Sequence, residues 1–142
     1  MIRTVCLLTL GIAAVAWAGI AASPARGADE TQNRLFELRT YTTNDGKLPE
    51  LHDRFRDHTN KLFEKHGITL VGYWTPTEGP GAGNTLVYIL AFPDREAREK
   101  SWKAFIADPD WKAAYKASIA NGRLVKKVES EFLAPTDYSP IK

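Results

Sequence analysis

A chain of 142 residues is long enough for one domain. It carries nineteen lysines and arginines against seventeen aspartates and glutamates, but Arg3 and Arg26 precede every acidic residue, so the rest of the chain holds seventeen of each sign and gives no case for binding nucleic acid or an anionic membrane. The only cysteine, Cys6, lies in the same opening stretch, which excludes disulfides, thiol catalysis and thiolate metal sites from the remainder of the chain.

Residues 1–28 have the order of a secretory signal peptide. Met1-Ile2-Arg3 is a basic start, Val5 to Ala22 carries no charge, and Ser23-Pro24-Ala25-Arg26-Gly27-Ala28 supplies small residues and a helix breaker. Cleavage is expected after Gly27 or Ala28. The apolar run would also just suffice as a retained anchor, but its Ala/Gly content and its processing-like end favour removal. The expected localisation is therefore periplasmic or secreted, with no membrane attachment once the leader is gone. Residues 29–33 form a polar lead-in, and the domain proper is expected over 34–142.

From Arg34 to Thr42, Phe36, Leu38 and Thr40 alternate with Glu37, Arg39 and Tyr41, the period of a half-buried strand. Asn44-Asp45-Gly46 is a turn. A helix is expected over about 48–66, opened by Pro49 and stopped by Gly67. Its expected stripe is Leu51, Phe55, His58 and Leu62. Glu50–Arg54 and Asp57–Lys61 are spaced as favourable ion pairs on the outer face. Ile68 to Thr75 is the second strand, with Ile68, Leu70 and Trp74 expected on one side and Val71 and Tyr73 on the other. Residues 76–84 are a Gly-rich loop that opens no helix and lacks Lys-Ser/Thr, so it reads as a turn and not a phosphate cradle.

Thr85 to Phe92 is the third strand, apolar on both sides: Leu86, Tyr88, Leu90 and Phe92 against Val87, Ile89 and Ala91. Asp94 caps a second helix, which Asp108-Pro109 breaks and restarts. Asn121-Gly122 stops it. Arg123 to Leu133 is the last strand, with Leu124, Val128 and Phe132 facing in, and Pro135 ends it.

The order strand, helix, strand, strand, split helix, strand predicts an α+β, ferredoxin-like βαββαβ unit with a four-stranded antiparallel sheet. A third strand apolar on both faces needs two covers, and the helices supply one. The simplest second cover is another copy of the chain, which gives a homodimer joined sheet to sheet as a dimeric α/β barrel. On this reading Glu37, Arg39 and Tyr41 point away from the helices into a partly polar barrel interior. Pairing of Glu37 with Arg39, within or across subunits, is the favoured reading over a catalytic one.

Candidate chemistry is sparse. Of three histidines, His58 falls within the helical stripe and His66 suits a helix C-terminus. None shows the i, i+4 spacing of a helical metal site, so no metal is expected. The candidate catalytic set is Arg39 to hold an anionic oxygen, Tyr41 to donate a hydrogen bond and His58 to move a proton. Glu37, Tyr73, Trp74 and Tyr88 are the candidate ligand-pocket residues.

Taken together, Phe36-Glu37-Leu38-Arg39-Thr40-Tyr41, Arg54-Phe55-Arg56-Asp57-His58-Thr59, Val71-Gly72-Tyr73-Trp74-Thr75, Ala91-Phe92-Pro93-Asp94, Trp102-Lys103-Ala104-Phe105 and Asp108-Pro109-Asp110-Trp111 resemble bacterial members of the NIPSNAP family along nearly the whole mature chain. The resemblance implies the dimeric α/β-barrel superfamily, which also holds cofactor-free monooxygenases, isomerases and haem-dependent enzymes. It transfers no catalytic motif. The leading expectation is a dimeric small-ligand-binding or interaction module with no cofactor, whose partners are a second copy and a small hydrophobic or aromatic ligand. The alternative is a cofactor-independent monooxygenase or isomerase acting on a small aromatic substrate. Haem held by a histidine is a third reading.

Overall fold

The structure, a computed structural model, describes residues 34–142; the expected leader and lead-in lie outside the described residues. Strands β1 (Leu35–Thr43), β2 (Thr69–Trp74), β3 (Thr85–Phe92) and β4 (Val125–Leu133) form one sheet in the order β2-β3-β1-β4, with every neighbouring pair antiparallel. The two central strands are therefore β1 and β3, the ferredoxin-like arrangement. Among the described residues, no helix is long and apolar enough to cross a membrane.

The first helix is not continuous. It consists of α1 (Leu48–Arg54), a π-helical turn (Phe55–Thr59) and α2 (Asn60–Lys65). The Asn60 amide donates to the Phe55 carbonyl five residues back, and Thr59 Oγ1 donates to the Arg54 carbonyl at 3.1 Å. The wider turn holds one extra residue. Leu51, Phe55, Thr59, Leu62 and Phe63 consequently face inward, and His58 is exposed. A regular α-helical stripe would have placed His58 where Thr59 lies. The expected ion pairs also regroup within one turn: Glu50 takes Lys47 at 2.6 Å, and Asp53 takes Arg56 at 2.7 Å. Gly67, at φ 74°, makes the left-handed stop.

In β2 the pairing register shifts between Leu70 and Gly72, and Val71 is the extra residue. This bulge re-aims the rest of the strand. Leu70 and Tyr73 lie opposite Leu90 and Tyr88, while Trp74 lies opposite Val87. The expected grouping of Leu70 with Trp74 is thereby corrected. Gly72 makes room for the Trp74 indole, since a Cβ there would sit 2.6 Å from the ring.

Helix α3 (Arg95–Ala107) is capped by Asp94, whose Oδ1 accepts from the Ala97 amide at 2.7 Å. Helix α4 (Pro109–Ser118) is capped by Asp108, which accepts from the amides of Asp110 and Trp111. His66 Nε2 lies 2.7 Å from Asp108 Oδ2 and Lys65 Nζ 2.8 Å, so the cap of α4 is tied to the end of α2.

The core lies between the helices and one sheet face. Leu51, Phe55 and Phe63 from the first helix pack on Leu86, Tyr88, Leu90 and Phe92 of β3, with Phe105 and Leu124 closing the sides. A fully buried side chain of this kind contributes about 2 kcal/mol.

The register settles which face of β1 joins them. Glu37 pairs with Leu90, Arg39 with Tyr88 and Tyr41 with Leu86. All three therefore point toward the helices, opposite to the sequence-based expectation. Phe36, Leu38 and Thr40 share the other face with Val87, Ile89 and Trp74. Glu37 can be fully buried on β1 because α3 and β4 bring it partners. The tail returns along the other face: Phe36, Val71 and Ile89 adjoin Leu133, Pro135 and Ile141, and Arg34 Nε donates to the Lys142 carbonyl at 2.6 Å.

Candidate functional site

Glu37 is fully buried and accepts five hydrogen bonds. The donors are Arg98 Nε and Nη2, both at 2.9 Å, Ser130 Oγ at 2.7 Å, Trp102 Nε1 at 3.0 Å and Arg39 Nη1. Burial alone would raise its pKa. Arg98, Ser130 and Arg39 outweigh burial and pull it down to about 2. Arg39 spends its remaining nitrogens on the Tyr88 hydroxyl at 2.9 Å and the Tyr41 hydroxyl at 3.3 Å, and its guanidinium lies 4.4 Å from the centre of the Trp102 ring. Burial works against its charge, and the tyrosines and Glu37 restore it. Tyr88, wholly enclosed, has its phenol pushed well above the ordinary value, chiefly by burial. This knot joins β1, β3, β4 and α3.

Beyond Tyr41 the helices part from the start of β4 and leave a cavity of about 350 Å³. Tyr41, Phe55, Trp102, Trp111 and Tyr115 supply its aromatic wall. Arg54 enters that wall from the end of α1 and is only 6% exposed. Its guanidinium is flanked by the rings of Trp111 and Tyr115, at 5.5 and 5.4 Å. Nη1 donates to Ser118 Oγ at 3.2 Å, and Nε is buried with no partner. Burial lowers its pKa below the ordinary arginine value. Among the described residues it has no carboxylate within salt-bridge distance.

The expected site residues divide among three places. Glu37, Arg39, Tyr41, Tyr73 and Tyr88 come together under the helices, with Tyr73 stacked on Tyr88 at 5.5 Å. Of the catalytic trio only Tyr41 lines the cavity. His58 borders a second, acidic groove on the outer side of α1 and α4, which Arg54 also lines, beside Glu50, Asp53 and Asp57. Trp74 is 52% exposed on the opposite sheet face. The aromatic cavity lies between sheet and helices within one subunit. Arg54, expected in a surface ion pair with Glu50, is instead a buried cavity residue; its signal is its place three residues after Leu51, beside Phe55, on the inward arc. Among the described residues, no three His, Cys, Asp or Glu side chains gather as a metal site would require.

A family model described as NIPSNAP matches residues 36–140. No curated protein matches the chain. Among solved structures, a NIPSNAP family protein of unknown function from Agrobacterium tumefaciens is similar at 26% identity with a TM-score of 0.68, over 79% of this chain and 96% of that one. An uncharacterized NIPSNAP domain protein from Burkholderia xenovorans is similar at 29% identity and a TM-score of 0.64, over 75% and 98%. SnoaB, a cofactor-independent oxygenase from Streptomyces nogalater, is similar at 17% identity and a TM-score of 0.52, over 76% and 98%, a likeness of fold alone.

Proposed function

The chain belongs to the NIPSNAP family, and from that premise we propose that it acts as an exported homodimer that binds a small, largely aromatic ligand in the cleft between α3, α4 and the start of β4. The observation that carries this reading is the aromatic-walled cavity of about 350 Å³ with Arg54 buried in its wall. Its size lies at the low end of small-molecule sites, which run from roughly 300 to 1,000 Å³. A polar group converging on aromatic surface fixes a ligand's orientation, and the rings supply its affinity.

The dimer is supported by the sheet face turned away from the helices. Leu38, Val71, Val87 and Ile89 are only half-buried there, and Trp74 is exposed. Such an apolar stripe calls for a second cover. Sedimentation at micromolar concentration is expected to give twice the chain mass, and a stable monomer would overturn the pairing. Export predicts a periplasmic or secreted form whose first residue is Ala28 or Asp29, read by intact mass. An unprocessed chain would overturn it.

For the ligand, a neutral fluorescent naphthylamine is the simplest probe. It is expected to quench Trp102 and Trp111 with saturable binding, which Val128→Trp at the cavity mouth removes. Quenching that persists in this variant places the probe elsewhere. The alternative, a cofactor-independent monooxygenase acting on a small aromatic substrate, is favoured by one observation: Tyr41 lines the cavity, and its hydroxyl accepts a hydrogen bond from Arg39. In that reading Tyr41 donates to the substrate oxygen and Arg39 supports it. His58 lies outside the cavity and takes no part. Oxygen uptake with small phenols and no added cofactor, lost in Tyr41→Phe, tests this; no uptake leaves the binding module.

A further inference from the structure

We infer that the ligand of this cleft is an aromatic oxyanion, a one- or two-ring body bearing a carboxylate, with the anion seated on Arg54. The inference rests on the binding role proposed for the cavity and adds the charge of what binds there. Guanidinium offers five N–H donors in a planar fork. Among the described residues Arg54 uses one of them, toward Ser118. Its Nε is buried and unpaired. A buried cation without a counter-charge is costly, and a carboxylate approaching the fork supplies both the charge and two parallel hydrogen bonds.

Among the described residues, no aspartate or glutamate lines the cavity, whereas Arg54, Arg123, Lys126 and Lys127 all do. Glu50, Asp53 and Asp57 border the outer groove that Arg54 also lines, and none of them forms an ion pair with it. Glu37, linked to the cavity residue Tyr41 through Arg39, is consumed by its own five donors. On the outer side of α1, Glu50 is held by Lys47 and Asp53 by Arg56. At the mouth, Lys127 is paired with Glu129 at 2.7 Å. Arg123 and Lys126 form no ion pair among the described residues and can draw an anion inward. The wall between these cations is aromatic, with Trp111 and Tyr115 already holding the guanidinium between them. An aromatic ring carrying a carboxylate fits both halves of this surface, while inorganic anions would leave the rings unused.

The test compares 2-naphthoate with 2-naphthalenemethanol, which share the ring system and differ in charge, by calorimetry on the mature chain. The naphthoate is expected to bind at least about tenfold more tightly, the scale of one charge-assisted hydrogen bond, and to weaken as salt rises. Arg54→Gln is expected to bring it down to the affinity of the alcohol, and Arg54→Lys to retain part of the preference. Should Arg54→Gln not fold, as judged by circular dichroism, the wild-type comparison and the Arg123→Gln, Lys126→Gln double variant decide the matter; the latter is expected to lower naphthoate affinity about threefold without touching the alcohol, the loss of weak rim charges. Equal binding of the two probes overturns the anion while leaving the cleft as a binding site. Binding of neither overturns the cleft and the anion with it. A naphthoate preference that survives in folded Arg54→Gln overturns the seat on Arg54.

Discussion

Among the described residues, Arg39 and Arg54 are both largely enclosed, and they differ in what surrounds them. Arg39, on β1, has every nitrogen engaged by Glu37, Tyr88 or Tyr41 and a Trp102 ring over its face. Arg54, at the end of α1, has one hydroxyl, two aromatic rings and no carboxylate. Burial disfavours both charges, but only Arg39 is compensated within the fold. A cation satisfied by its own chain holds elements together, and one left unsatisfied beside a cavity is available to something else. Arg39, singled out by the sequence for chemistry, is therefore the less free of the two.

The comparison can be broken first at Glu37. Glu37→Ala leaves Arg98 and Arg39 without their shared acceptor and is expected to cost about 3 kcal/mol or more in denaturant unfolding. A loss below about 1 kcal/mol would mean that the knot is not structural. Acid addresses the same group. With its pKa held at about 2 in the fold against an ordinary 4.5, Glu37 contributes stability that is present above the ordinary value. That contribution, on the order of 3 kcal/mol, is expected to disappear as pH falls from about 4.5 toward 2, and a Glu37→Gln variant should lose this part of the pH dependence.

Asp108→Ala is expected to lower the melting midpoint less than Glu37→Ala, because it removes one helix cap and a tie to His66 and the exposed Lys65, whereas Glu37 holds five donors. The smallest effect sharpens the contrast best. Arg54→Met replaces an uncompensated cation by an apolar chain of similar length and is expected to change stability by less than about 1 kcal/mol in either direction. A loss as large as that of Glu37→Ala would make Arg54 a second structural pin and remove its distinction from Arg39.

Much of the fold was legible because its signals are local. Pro49, Asp94, Pro109, Gly67 and Asn121-Gly122 start or stop helices within a turn of themselves, and the alternation of β1 and β3 has a period of two. The departures share another origin. The π-helical turn exchanges a four-residue for a five-residue hydrogen bond and so puts Thr59, not His58, inside. The β2 bulge, one added residue at Val71, parts Trp74 from Leu70 and puts Tyr73 on the side of Leu70 instead. Neither insertion has a periodic signature, since each is one residue long and is chosen by what packs around it. The candidate site was legible only in Tyr41; Arg54 reads as a surface residue because Glu50, four positions earlier, is spaced to pair with it.

The sequence by itself determined the order of the strands and helical regions and most of their ends, since these depend on caps, turns and periodicities spanning a few residues. It also determined that β3 is apolar on both sides. Only the tertiary structure decided which side of β1 is buried, because Arg98, Trp102 and Ser130 reach Glu37 from 61, 65 and 93 residues away. It decided by the same route which arginine is left without a counter-charge: a side chain's partners are fixed by the packing of distant segments, and no local pattern records them.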